Sequence, residues 1–216
     1  TATISGSTQT CAGNGVTLTA GGTGTSYLWS TGETASSIFV NPAATTNYTL
    51  VTYNAQGCPS GQAVHTLTVN PIPTASITGP TVACKNASVT LTASGGTSYL
   101  WSTGETTQSI TPTITNNITY TVTVTDNKGC TATTNHAVTV IPESVINISG
   151  DLDICVGETT TLTASGVPGG TYLWSNGQGG ASITVSPASE TTYTVTATDG
   201  NGCQSTGFVT VKVNAL

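Results

Sequence analysis

The longest alternating run in the chain is Ile118-Thr119-Tyr120-Thr121-Val122-Thr123-Val124-Thr125. A period of two puts one set of side chains on a buried face and the other in water, which predicts a half-buried β-strand. The flanking sequence supplies its companions. Thr74–Thr78 reads as a first strand, which Gly79-Pro80 breaks and Val82-Ala83-Cys84 continues. Ser88–Ala93 alternates and predicts a second strand. After the loop Ser94–Thr97, Tyr99-Leu100-Trp101 is a third, turning at Ser102–Glu105. Gln108–Thr111 is a further strand, and Thr115–Asn117 is a turn. Asp126–Gly129 has the glycine that a tight hairpin needs for positive φ, and Thr131–Val140 is the final strand. About seven short strands with regularly spaced turn signals predict an antiparallel sandwich. No long window carries a helical period, and no run of about 18 apolar residues spans a membrane.

This pattern occurs three times. Tyr99-Leu100-Trp101-Ser102-Thr103-Gly104-Glu105-Thr106 repeats Tyr27–Thr34, and Tyr172–Gly179 is a third copy that has drifted in its second half. The copies lie about 72 residues apart, too long for a solenoid unit and right for a small β domain. The predicted modules are 1–73, 74–143 and 144–216, joined by Asn70-Pro71-Ile72-Pro73 and Ile141-Pro142-Glu143. Short proline-containing linkers are semi-rigid, so the modules are expected to form a rod.

A lone Trp on the third strand is the core anchor of immunoglobulin-like sandwiches, which assigns Trp29, Trp101 and Trp174 to the core. Where such sandwiches carry an inter-sheet disulfide, this chain offers Leu18 with Leu50, Leu91 with Val122, and Leu162 with Val195. Tyr48, Tyr120 and Tyr193 occupy the tyrosine-corner position and are read as further core anchors. Tyr27, Tyr99 and Tyr172, two residues before each Trp, are expected on the same face.

Composition narrows the function classes. Lys85, Lys128 and Lys212 are the only cations, and the formal net charge is −6. A nucleic-acid binder needs several Lys or Arg to displace counterions, so that class is excluded, and an anionic membrane is disfavoured for the same reason. Thr and Asn side chains, rather than charge, must supply solubility. This suits an extracellular, protease-exposed protein with almost no site for trypsin-like enzymes. No signal peptide is recognisable, so the sequence reads as a mature form or an excised fragment.

Val82-Ala83-Cys84, Val89–Ala93, Leu100-Trp101-Ser102-Thr103-Gly104-Glu105-Thr106, Tyr120–Asp126 and Asn127-Lys128-Gly129-Cys130 occur in that order. This succession resembles the immunoglobulin-like and PKD-like modules repeated in very large secreted surface proteins of Bacteroidetes-type bacteria. The resemblance covers all three repeats. It implies an extracellular β-sandwich with an adhesin, filament or spacer role, and it carries no catalytic residues. PKD modules usually have Trp-Asp-Phe-Gly-Asp-Gly where this chain has Trp101-Ser102-Thr103-Gly104-Glu105, so the immunoglobulin-like pattern fits better.

The six cysteines fall two per repeat: Cys11 and Cys58, Cys84 and Cys130, Cys155 and Cys203. They lack C-x-x-C spacing and a companion His pair, so disulfides in an oxidising compartment are expected rather than zinc. In an immunoglobulin-like topology Cys84 lies at the pole where the last strand ends, and Cys130 at the opposite pole. A strand of about seven residues separates the poles by roughly 20–25 Å, whereas a disulfide needs Cα atoms within about 7 Å. Bridges between successive modules, Cys11–Cys130 and Cys84–Cys203, are therefore the favoured reading. They leave Cys58 and Cys155 for a neighbouring module or another chain in a head-to-tail filament. Pairing within each module, Cys11–Cys58, Cys84–Cys130 and Cys155–Cys203, is the alternative.

Other residues invite sharper readings. Exposed Trp or Tyr can stack on sugars, but one Trp per module at the anchor position reads as core. Glu33 and Glu105 could suggest paired glycosidase carboxylates, yet they belong to different modules and Gln178 replaces them in the third. His65 and His136 have no nucleophile pattern nearby, and no triad, P-loop or metal motif is present. Asp151, Asp153 and Glu158, with Asp126 and Asp199, make calcium conceivable. Asn54 replaces the turn Asp in the first module, so no cofactor is expected. The lysines occupy different module positions, which disfavours a repeated isopeptide bond. Sequons at Asn47, Asn86, Asn117 and Asn147 arise readily in a chain this rich in Thr and Asn.

The expected function is a structural segment of an extracellular fibre, filament or surface-adhesin stalk, not an enzyme. Its partners would be neighbouring modules or copies of itself. The alternative is a glycan- or surface-binding array, or an accessory spacer of a secreted enzyme, for which Tyr53, Phe39 and Phe208 are the spare aromatics.

Overall fold

A computed structural model describes residues 1–215, and every regular element in them is a β-strand. The first repeat forms β1 (Ala2–Ser5), β2 (Gln9–Cys11), β3 (Val16–Gly22), β4 (Ser26–Trp29), β5 (Ser37–Val40), β6 (Thr46–Tyr53) and β7 (Ala63–Asn70). The second forms β8 (Ser76–Thr78), β9 (Val82–Cys84), β10 (Ala87–Ser88), β11 (Leu91–Ser94), β12 (Ser98–Trp101), β13 (Ser109–Ile110), β14 (Thr113–Ile114), β15 (Ile118–Thr125) and β16 (Thr131–Ile141). The third forms β17 (Asn147–Ser149), β18 (Asp153–Cys155), β19 (Thr160–Ser165), β20 (Thr171–Trp174), β21 (Ser182–Val185), β22 (Thr191–Thr198) and β23 (Gln204–Asn214).

Each repeat builds two sheets of the same order: β1-β3-β5 with β2-β7-β6-β4, β8-β11-β13 with β12-β15-β16-β9, and β17-β19-β21 with β18-β23-β22-β20; the second repeat adds the two-stranded pair β10-β14. These are immunoglobulin-like sandwiches. By backbone contacts the chain divides into two compact units. One comprises Thr1–Gly79, Thr90–Ile110 and Thr119–His136; the other comprises Pro80–Val89, Thr111–Ile118 and everything from Ala137 onward.

The strands put their alternating apolar residues into closed cores. In the first repeat Leu18, Ile38 and Val40 from one sheet meet Trp29, Tyr48, Leu50 and Leu67 from the other. In the third, Leu162, Ala164, Ile183 and Val185 meet Ile154, Trp174, Tyr193, Val195 and Val211. Tyr27 and Tyr172 pack against these clusters while partly buried. In the second repeat Leu91, Val122 and Val124 are fully buried, and Trp101 and Tyr120 nearly so. The outward faces carry hydroxyl pairs across strands, such as Thr92 with Ser109 at 2.9 Å and Thr192 with Thr210 at 2.8 Å. Cross-strand hydroxyl pairs satisfy polar groups without charge, so a chain this poor in ions still has a wet surface.

Two local expectations are corrected. Val82–Cys84 does not continue the first strand in its own sheet. It crosses to the other sheet and pairs parallel with β16, Cys84 opposite Ile141. Gly79 makes the crossing possible: its φ is +154°, and a Cβ there would meet the Leu91 side chain at 2.6 Å and the Thr90 carbonyl oxygen at 2.8 Å. The first and third repeats cross in the same way, with Cys11 opposite Asn70 and Cys155 opposite Asn214. The second expected strand, Ser88–Ala93, is interrupted at Val89-Thr90. Its partner carries Pro112, which accepts a bond from the Val89 N–H at 3.1 Å but has no N–H to return. A missing donor opens the ladder at that rung on both strands. The other repeats have Val40 and Val185 at this point, paired with Val16 and Thr160.

Candidate functional site

Each Trp anchors its repeat by burial and by one directed bond. All three are 2% exposed. Their indole N–H groups donate to the carbonyls of Ala35 at 2.9 Å, Thr107 at 2.8 Å and Gly180 at 3.0 Å. Burying an indole without a partner for its N–H is costly, so the turn after the third strand is shaped to present a carbonyl at that spot. These rings are enclosed and present no platform for a sugar. Tyr48, Tyr120 and Tyr193 are also buried. Burial pushes the Tyr48 and Tyr120 phenols above their ordinary range, and the Glu105 charge adds to the effect at Tyr120.

The chemistry-bearing feature common to all repeats is the pair of cysteine positions. Cys11, Cys84 and Cys155 end the short strand that lies parallel to the last strand. In each case the next residue donates its N–H to the carbonyl opposite: Ala12 to Asn70, Lys85 to Ile141, Val156 to Asn214. Cys58, Cys130 and Cys203 sit four residues after an Asn or Asp that shapes the turn. The side-chain Oδ1 of Asn54, Asp126 and Asp199 accepts the N–H of the respective cysteine at 2.9, 2.8 and 2.8 Å. The same oxygen takes a second N–H, from Gln56, Lys128 and Asn201. These backbone bonds, led by the one from Cys203, hold the Asp199 carboxyl below the usual carboxylate range.

Two of the first set are bonded to two of the second. Cys11 joins Cys130 with Cα atoms 5.5 Å apart, and Cys84 joins Cys203 with the same separation. Each links residues 119 apart in sequence and connects one repeat to the next. Pairing within a repeat, the alternative left open by the sequence, is absent. Cys58 and Cys155 are exposed free thiols.

The remaining candidates are dispersed into local structure. Glu33 and Glu105 accept bonds from Thr31 and Thr103 within their own turns. Asp151 caps the Asp153 N–H at 3.2 Å, Glu158 caps the Cys155 N–H at 2.9 Å, and Asp153 accepts from the Asn214 side chain. Among the described residues, no group of three or more His, Cys, Asp or Glu converges as a metal site. His65 Nε2 lies 2.9 Å from the Ser7 carbonyl. The four sequon asparagines are exposed. Phe39 and Phe208 are 68% and 77% exposed, and no helix among the described residues is long and apolar enough to cross a membrane. The Asx-turns that present the second cysteines were not recognised in the sequence as cysteine holders. The signal was there: Asn54, Asp126 and Asp199 each stand four residues before a Cys.

The fold and its cysteines define a tandem array of immunoglobulin-like sandwiches cross-linked between repeats. Disulfides of this kind belong to an oxidising, non-cytoplasmic compartment. No protein-family model and no curated protein matches the chain. Among solved structures it is similar to three N-terminal domains of the bacteriophage RB49 highly immunogenic outer capsid protein, at 17% identity over 100% of both chains with a TM-score of 0.38. It is similar to an I-band fragment of titin, at 12% identity over 99% of this chain and 98% of that one, TM-score 0.39. A third is a structure from a 1.5-MDa bacterial ice-binding adhesin, at 17% identity over 100% and 98%, TM-score 0.34.

Proposed function

We propose that this chain is a structural segment of an extracellular fibre, filament or surface-adhesin stalk, with modules at 1–73, 74–143 and 144–216. The observation that carries the reading is the crossed pair of bridges, Cys11–Cys130 and Cys84–Cys203. Each repeat is covalently tied to its neighbour by a route other than the backbone, which suits a chain that bears tension. No catalytic role is assigned to any residue. Glu33, Glu105, Asp151 and Glu158 serve their own turns, and Asp153 holds the Asn214 side chain. Few cations and a hydroxyl-rich surface argue for a role outside the cell and against nucleic acid or membrane insertion as partners.

Immunogold labelling of intact source cells, with antibody raised to this chain, tests the reading. Labelling along surface fibres or released filaments supports it; labelling confined to the cell interior overturns it. A second reading rests on Phe39, which stands exposed beside a groove of about 410 Å³ lined by Thr31, Glu33, Asn41, Pro42 and Tyr48. On that reading the first module binds a surface glycan, and glycan-array binding lost in Phe39→Ala is its test.

A further inference from the structure

We infer that Cys58 and Cys155 are the two complementary halves of a third bridge of the same kind, open in this chain, whose partner is another immunoglobulin-like module of this repeat type. The inference rests on the fibre reading above and specifies its joints. Its warrant is internal comparison. Cys155 occupies the position that is bonded at Cys11 and at Cys84, and Cys58 the position that is bonded at Cys130 and at Cys203. The strand register is the same, since Cys155 faces Asn214 as Cys84 faces Ile141 and Cys11 faces Asn70.

The two formed bridges also set a direction. In both, the cysteine of the short parallel strand joins the turn cysteine of the repeat one place further along the chain. Cys155 therefore takes a turn cysteine from a following module, and Cys58 takes a strand cysteine from a preceding one. A Cys58–Cys58 or Cys155–Cys155 bond matches neither formed bridge. The joint is heterologous and polar, the kind of contact that extends without closing. The partner module comes either from the same longer polypeptide or from a second copy of this chain.

Forming the bond oxidises two thiols to one disulfide and releases two protons and two electrons. A disulfide oxidant takes them: Cys155–SH attacks the oxidant's disulfide as thiolate and releases one thiol. The Cys58 thiolate then displaces the second thiol from the mixed disulfide. With oxidised glutathione the balance is two protein thiols plus one glutathione disulfide giving one protein disulfide plus two glutathiones.

Two arms test this. First, the purified chain, its internal bridges intact, is incubated with oxidised glutathione and run without reducing agent. Joining of second copies gives a ladder of covalent oligomers, with a Cys58–Cys155 cross-linked peptide by mass spectrometry. Cys58→Ser and Cys155→Ser each abolish the ladder, and mixing the two variants restores a dimer through Cys155 of one and Cys58 of the other. Second, protein from the source organism is thiol-trapped and mapped. Cys155 joined to a cysteine four residues after an Asn or Asp in the same polypeptide supports the inference with a neighbouring repeat as partner, even where the first arm gives no ladder. Symmetric dimers in either arm, or Cys155 found free or only glutathionylated in the source material, overturn it. Surface labelling is read independently, so loss of the joint and loss of the fibre role are told apart.

Discussion

Cys84, at the end of a three-residue strand in the second repeat, is bonded to Cys203 in a turn of the third, with Cα atoms 5.5 Å apart. The segment between them includes Cys130, itself bonded to Cys11, so the two covalent loops overlap. In the chain-entropy description, closing a loop of this length stabilises the folded state by about 5 kcal/mol. Cys130 is fully buried and Cys203 nearly so, which shelters one sulfur of each bridge from attack.

The first prediction concerns stretching. With both bridges closed, the shortest covalent path runs from Cys11 to Cys130, back to Cys84 and across to Cys203. About 70 residues then carry the end-to-end length instead of about 215, at about 3.4 Å each. Single-molecule pulling should give a fully extended length of about 240 Å when oxidised and about 730 Å after reduction. Equal lengths in both states would contradict the crossed connectivity.

The second concerns the indole bond. Trp101→Phe keeps an aromatic ring but removes the donor to the Thr107 carbonyl. The expected loss is about 1–3 kcal/mol, measured by chemical denaturation under oxidising conditions. Trp101→Ala should cost about 3–5 kcal/mol, because a cavity is added. A neutral Trp101→Phe would show that the N–H is not required.

The third concerns the broken ladder. Pro112→Val supplies the missing N–H opposite the Val89 carbonyl, in the register that the pairs Ser88 with Thr113 and Leu91 with Ile110 already set. Amide exchange at the substituted position and its neighbours should be slow, and the second repeat should gain stability of about 0.5–1.5 kcal/mol. If the new amide exchanges as fast as those of the surrounding loops, the interruption has another cause.

The fourth concerns acid. Asp199 is held below the ordinary Asp value of 3.8 by backbone N–H bonds to its ionised form. A depressed folded pKa contributes stability that is present above the unfolded value and lost as pH falls through the folded one. The turn should therefore keep its order down to pH below 3.8, read by carbon NMR of the Asp199 carboxyl and by exchange at the Cys203 amide. Asp199→Asn, the residue type that serves as Asn54 in the first repeat, should keep the turn and remove its pH dependence.

Most strands and their cores were legible in the sequence because burial in a sandwich has a period of two, whereas the second repeat has nine strands where about seven were expected. Ile118–Thr125 shows the period directly: the expected strand and β15 have the same ends. The three Trp positions were legible for the same reason, since one large ring per repeat at a constant spacing must fill the same place in each core. The crossing at Gly79 and the gap at Val89-Thr90 were not, although Gly79, Pro80 and Pro112 are plain in the sequence. A glycine or proline marks where a ladder changes, but the sheet that receives the chain depends on which edge is free.

The cysteines divide in the same way. By itself the sequence determined that there are two equivalent positions per repeat and that they belong at opposite poles of a sandwich, because strand length sets the distance between poles. The same pole argument favoured Cys11–Cys130 and Cys84–Cys203 and left pairing within each repeat as the alternative; the tertiary structure decided between the two. Cys11 reaches Cys130, and Cys84 reaches Cys203, because the short strand bearing the first cysteine crosses to lie against the last strand of its own repeat. The Asx-turn bonds fix the second cysteine where the chain of the neighbouring repeat brings it within bonding distance. The turns are local, but the bridges and the parallel strand pairing are contacts between residues far apart in sequence, which only the folded chain brings together.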